Sequence, residues 1–220
     1  MVLIPYICLC VVCVLMSVIY TLYYDKKGWQ GILVKGLTIL SLIIFSMVSA
    51  NLKSLNSAIT LFIPISLALL LVDECLSLIE SSEKVNTIFG GLLRIISCVL
   101  FALTAMSLAE FSLLGFFAGI LLGAGIGLIT WGVKKYKTIE KIVIEILTFM
   151  AIGFLIGLGT YAVIMSTHLI SSILMLVGGI LMLAQKMMLV FGEQNKIVRI
   201  IAHEVYVIAI IVISCSIYFY

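Results

Sequence analysis

Residues 111–131 read Phe-Ser-Leu-Leu-Gly-Phe-Phe-Ala-Gly-Ile-Leu-Leu-Gly-Ala-Gly-Ile-Gly-Leu-Ile-Thr-Trp, a run with no charged side chain. A helix needs roughly 20 apolar residues to cross the hydrocarbon core of a bilayer, and this run has that length. Working outward from it, similar runs occupy residues 3–24, 32–50, 57–79, 89–109, 142–163, 167–190 and 197–219, so eight spans fill almost all of the 220 residues. The fourth and fifth are parted only by Glu110. Composition agrees: 64% of residues are hydrophobic, 10% are charged and the mean hydropathy is +1.36, far outside the range of water-soluble domains. The runs lack the strict alternation of a barrel strand, and in lipid a helix satisfies its own backbone hydrogen bonds. The expected fold is all-α, a polytopic transmembrane bundle of about eight helices forming a single domain over residues 1–220.

The first span has no positive segment before it and no obvious small-residue cleavage site, while Lys26 and Lys27 follow it, so it reads as a membrane anchor rather than a removable signal. Those lysines begin a pattern. The first, third, fifth and seventh joints and their flanks hold Lys26, Lys27, Lys35, Lys84, Arg94, Lys134, Lys135, Lys137, Lys141, Lys186, Lys196 and Arg199, which is 12 of the 13 basic residues, leaving Lys53 on the other side. The positive-inside rule then puts the basic face in the cytoplasm and both termini outside it. The net charge of +3 is a membrane signal of this kind, and no nucleic-acid partner is expected.

Cys8, Cys10, Cys13, Cys75, Cys98 and Cys215 all fall inside spans, where free cysteine behaves as a small hydrophobe; no metal site and no cofactor are expected. Gly115, Gly119 and Gly123 repeat every fourth residue, the spacing that lets two helices approach closely in lipid.

Ionisable residues inside the spans carry more information, since each costs roughly 3 kcal/mol on insertion scales unless it is paired or hydrated. In the third span Ser66, Asp73, Ser77 and Glu80 lie at steps of seven, four and three with Glu74 beside them; in the last, Lys196, Arg199, His203 and Tyr206 form a second stripe from which Glu204 is turned by about 100°. Arg94, Lys35, Lys141, Glu145, Gln185 and Lys186 add to them. With the orientation above, these groups gather in the cytoplasmic half and outline a polar site there. For the cations near span ends, snorkelling to lipid headgroups is the plainer account. His168 falls near the opposite surface.

The stretches Val34-Lys35-Gly36-Leu37, Leu71-Val72-Asp73-Glu74-Cys75-Leu76 and Gly178-Gly179-Ile180-Leu181-Met182, with Tyr206 in a closing helix and eight spans in about this length, resemble the YhhN-like lysoplasmalogenase family. The family typically carries Lys-Pro where this chain has Lys35-Gly36, Gly-Asp where it has Val72-Asp73, and Ser-Asp where it has Gln185-Lys186; its mid-chain histidine has no counterpart near Ala109-Glu110-Phe111. What the resemblance implies is hydrolysis of the vinyl ether bond of lysoplasmalogens to a fatty aldehyde and a glycerophospho-base, in a cell membrane with the site toward the cytoplasmic leaflet.

That reaction protonates an alkene carbon, captures the resulting oxocarbenium ion with water and lets the hemiacetal collapse, so it needs a general acid, a nearby anion and a positioned water. Asp73 with Glu74 is the local acid pair, Glu204 or Glu145 the second carboxyl from another helix, and His203 a proton shuttle. Lys35 or Arg94 would hold the lipid phosphate, with Gln185 and Tyr206 completing the substrate-binding set. A small proton-coupled transporter and a non-catalytic scaffold are the competing classes: a blind slot open to one leaflet favours the lipid enzyme, a path to both faces favours transport, and an Asp73 locked in an ion pair favours the scaffold.

Overall fold

The computed structural model describes residues 11–12, 14–16, 18–20, 22, 29–52, 59–78, 86–109, 112–134, 138–192 and 195–220. All of its elements are helical, and no strand occurs among the described residues. The described positions between 11 and 22 are helical, followed by α1 (Trp29–Leu52) and α2 (Ile59–Leu78). A wide π turn over Asn86–Gly90 leads into α3 (Gly91–Ser107), and α4 (Leu113–Val133), α5 (Ile139–Met165), α6 (Leu169–Gly192) and α7 (Lys196–Phe219) complete the chain. Six helices are long and apolar enough to cross a membrane: Trp29–Ala50, Thr87–Ser107, Leu113–Val133, Ile139–Met165, Leu169–Gly192 and Lys196–Phe219. Glu110 lies outside the described residues; α3 ends before it at Ser107 and α4 begins after it at Leu113. The Ser112 side chain caps α4 by accepting from the Gly115 N–H at 3.1 Å, which ends any reading of spans four and five as one helix.

Helices α1, α2, α3, α5, α6 and α7 pack each on the next, and α7 returns to α1, closing a ring. Helix α4 stands outside the ring and packs chiefly on α5. The glycine repeat explains that contact. A methyl group on Gly119 would lie 2.5 Å from the Gly153 carbonyl oxygen, and one on Gly153 or Gly157 would strike the backbone of α4, so two small-residue stripes interlock with their backbones touching. Gly178 and Gly179 do the same for α6: Gly178 faces Ile213 of α7 and Gly179 faces Leu155 and Ile156 of α5.

Most buried hydroxyls bond back to their own helix, as Ser66 does to Phe62 O at 2.7 Å and Thr148 to Ile144 O at 2.7 Å. Among the described residues four reach across. Ser97 on α3 donates to the Ser66 carbonyl on α2, Ser171 on α6 donates to the Ser216 carbonyl on α7 at 2.9 Å, Ser216 on α7 approaches Met175 Sδ on α6 at 3.3 Å, and Thr38 on α1 donates to the Met16 carbonyl at 3.1 Å. The first three join adjacent ring helices, whereas Thr38 seats the N-terminal segment against α1 and so carries Tyr20, which is fully buried, into the core.

Candidate functional site

An up-and-down chain brings together the late part of α2 and α6 and the early part of α1, α3, α5 and α7, and those are the segments that hold the charged residues. Among the described residues three ion pairs form at this end of the ring. On α2, Asp73 Oδ2 accepts from Arg94 Nη2 at 2.6 Å and from Nε at 3.2 Å, both on α3. Next to it, Glu74 Oε2 lies 3.7 Å from Lys35 Nζ on α1. Lys186 Nζ on α6 is 2.8 Å from Glu145 Oε2 on α5. Five ring helices thus contribute three cations and three anions, and burying such charges is tolerable only because each has a partner of opposite sign.

Local sequence explains the Asp73–Arg94 contact. A methyl group on Gly90 would sit 2.5 Å from Asp73 Oδ1, so only glycine at the start of α3 admits the carboxylate, and Arg94 follows one turn later. Asp73 and Glu74, being consecutive, point to different neighbours, which is why each takes a cation from a separate helix.

Tyr20 joins the two remaining groups. Lys35 Nζ lies 5.4 Å from the centre of its ring, the His203 ring lies 6.2 Å away at 52°, and its hydroxyl lies beside the Glu74 carboxylate. Tyr206 is buried within electrostatic reach of Glu74, Arg94 and Asp73, and its hydroxyl has no hydrogen-bond partner among the described residues.

Of the residues singled out in the sequence, Asp73, Glu74, Lys35, Arg94 and Tyr206 come together, with His203 at the edge beside Tyr20. Gln185 is buried but takes part in none of these ion pairs or hydrogen bonds; its neighbour Lys186 makes the contact to Glu145 instead. Glu204 is a correction. Its side chain is exposed on the outer face of α7, as a residue one position past His203 on a helix should be, so it cannot supply a second carboxyl to Asp73 or Glu74. Lys196, at the first turn of α7, is exposed too. Glu80, Lys84 and the lysines at 26, 27, 53, 135 and 137 lie outside the described residues.

Two participants were not anticipated. Tyr20 sits among several tyrosines in the first span and nothing in its spacing marks it; Gly90 carries a detectable signal, since a Gly-Gly pair just before Arg94 is out of place at a helix start unless something approaches closely. Among the described residues no group of three His, Cys, Asp or Glu side chains could hold a metal, and Cys75, Cys98 and Cys215 are free thiols. At the opposite end His168 stacks on Tyr220, ring centres 4.4 Å apart, far from the charged cluster.

Beside the cluster, an apolar groove of about 700 Å³ runs between Ile88, Thr138, Ile139, Glu140, Val143 and Ile144, next to the π turn that covers Asp73. Compared with protein-family models, with curated proteins and with solved structures, the chain matches none of them.

Proposed function

We propose that this chain is a membrane-embedded lipid hydrolase, similar in activity to the lysoplasmalogenases its short motifs resemble, and that Glu74 is its proton donor. The observation that carries the reading is the unequal partnering of the two adjacent carboxyls. Asp73 is held by two donors of one guanidinium, at 2.6 and 3.2 Å, a geometry that fixes its carboxyl in place. Glu74 instead faces an ammonium group, Lys35 Nζ at 3.7 Å, with a tyrosine hydroxyl beside it.

The division of labour follows. Glu74 gives its proton to the alkene carbon of the vinyl ether, and the fixed Asp73 carboxylate offsets the positive charge that develops on the neighbouring carbon and oxygen. Water adds to that carbon, the hemiacetal breaks its bond to the glycerol oxygen, and a fatty aldehyde and a glycerophospho-base leave, with Glu74 reprotonated from the water; in this reading Glu74 is the neutral member beside Lys35, and the other two pairs are charged. The hydrocarbon tail would lie in the apolar groove beside Ile88 and Ile144. Purified protein in detergent is expected to release aldehyde from a lysoplasmenyl lipid and no fatty acid from its acyl counterpart; release of fatty acid alone would assign a different lipid bond.

A non-catalytic scaffold is the second reading, favoured by the closed Asp73–Arg94 pair, and absence of aldehyde from folded protein would select it.

In the membrane arrangement we propose, the N-terminal segment and α2 also span, giving eight crossings with the charged end toward the cytoplasm. In a variant freed of its own cysteines, a thiol placed at Lys134 is expected to react with a membrane-impermeant maleimide only in opened vesicles or cells, and one at Ser166 in intact cells. The reverse pattern would invert the orientation.

A further inference from the structure

Arg94 and Lys186 are held by carboxylates, and Lys35 faces Glu74 and the Tyr20 ring. Arg199 differs. It lies on α7, half-buried, with no ion pair among the described residues and with its Nε–H buried and without an acceptor. Seven residues on, two helical turns deeper on the same face, the Tyr206 hydroxyl is also buried and without an acceptor, and His203 stands between them. Tyr206 is 4% exposed. Both buried groups are donors, and a buried donor left unmade costs about 1–3 kcal/mol each, which an acceptor-rich occupant would recover.

The face is built on a firm helix start: Asn195 caps α7 by accepting from the Ile197 N–H at 2.9 Å, which sets the rotation of the first two turns. Tyr20, whose ring is 6.2 Å from that of His203, closes the far wall.

We propose that Arg199, His203 and Tyr206 form a phosphate site, with the guanidinium and the tyrosine hydroxyl donating to phosphate oxygens. Arg199 is a further candidate beside Lys35 and Arg94 for holding the phosphate, and in assigning that phosphate to a lysophospholipid the proposal rests on the lipid-hydrolase reading. The alternative source is free inorganic phosphate, which would use the same donors.

The test uses a ligand that cannot be hydrolysed by vinyl ether chemistry: a saturated alkyl-ether lysophospholipid, titrated onto the purified full chain in detergent, beside the alkylglycerol of the same chain length and inorganic phosphate. The lysophospholipid is expected to bind about tenfold or more weakly to Arg199→Gln, a charge-assisted contact being lost, and about tenfold more weakly to Tyr206→Phe, where one hydrogen bond to a charged oxygen goes. Lys196→Gln, on the exposed side, should stay within about twofold, and alkylglycerol binding should be indifferent to all three. Inorganic phosphate that competes with the lipid and depends on Arg199 would identify the site as one for phosphate in general; lipid binding without such competition would tie it to the headgroup.

Unchanged lysophospholipid affinity in folded Arg199→Gln, an equal loss for alkylglycerol, or no binding of either phosphate ligand to the natural chain would overturn the assignment. Should Arg199→Gln not fold, the isosteric Tyr206→Phe decides on the same criterion. Because the ligand lacks the vinyl ether, these outcomes are independent of whether aldehyde is ever released.

Discussion

Arg94→Met is expected to lower the stability of the bundle by about 3 kcal/mol, because it leaves the Asp73 carboxylate, 5% exposed, without the two donors that hold it. The value sits at the lower end for a broken buried pair since the Arg94 side chain keeps 29% exposure and some contact with solvent or headgroups. Adding Asp73→Leu to Arg94→Met should restore most of the loss, because removing both charges removes the desolvation cost along with the attraction. Thermal unfolding of the two variants in the same detergent separates the cases. If the single variant melts like the natural protein, the pair is a surface contact and Asp73 is not locked.

The other large effect is steric. In Gly123→Val, the added Cβ would collide with the Phe149 carbonyl oxygen and lie 2.6 Å from Met150 Cα and 2.8 Å from Phe149 C, all backbone atoms of α5 that cannot turn aside. Overpacking costs typically about 1–3 kcal/mol even where side chains can move. Here α4 must lift off its chief partner, and loss of monodisperse folded protein is expected. Gly125→Ala is the counterpart on the same helix: nothing lies within 4 Å of its new methyl, and alanine favours the helix by about 0.5–1 kcal/mol. That variant should be as stable as the natural chain or more so. Equal damage from both would mean the helix itself, not the α4–α5 contact, was disturbed.

Much of the fold is legible in the sequence because lipid imposes a simple rule on it. A run such as residues 111–131 has few alternatives to a helix, and the described helix ends fall within a few residues of the expected ones except in α1 and α5, which begin about three residues early at Trp29 and Ile139. The glycine repeat likewise announces a close contact. It does not announce the partner, since Gly153 and Gly157 are spaced in the same way as many glycines that pack on nothing; that α4 leaves the ring and leans on α5 is a tertiary fact.

The site was legible as a set and not as pairs. Periodicity puts Asp73 and Ser66 on one face, and topology puts Arg94, Lys35 and Tyr206 at the same end. Which cation meets which acid depends on helix rotation, fixed by contacts such as Ser97 to Ser66 and by the room Gly90 leaves. Rotation also takes Glu204 out to the exposed face and turns Arg199 Nε inward.

The account rests most on Glu74 as the proton donor, and the direct measurement is the rate of aldehyde release from lysoplasmenyl lipid by purified natural protein and by Glu74→Gln, with both shown folded by their melting curves. General acid catalysis contributes about 10²–10⁴ in rate, so the account predicts a loss of about a hundredfold or more in Glu74→Gln. Aldehyde release from Glu74→Gln at the natural rate, or none from the natural protein, would contradict it.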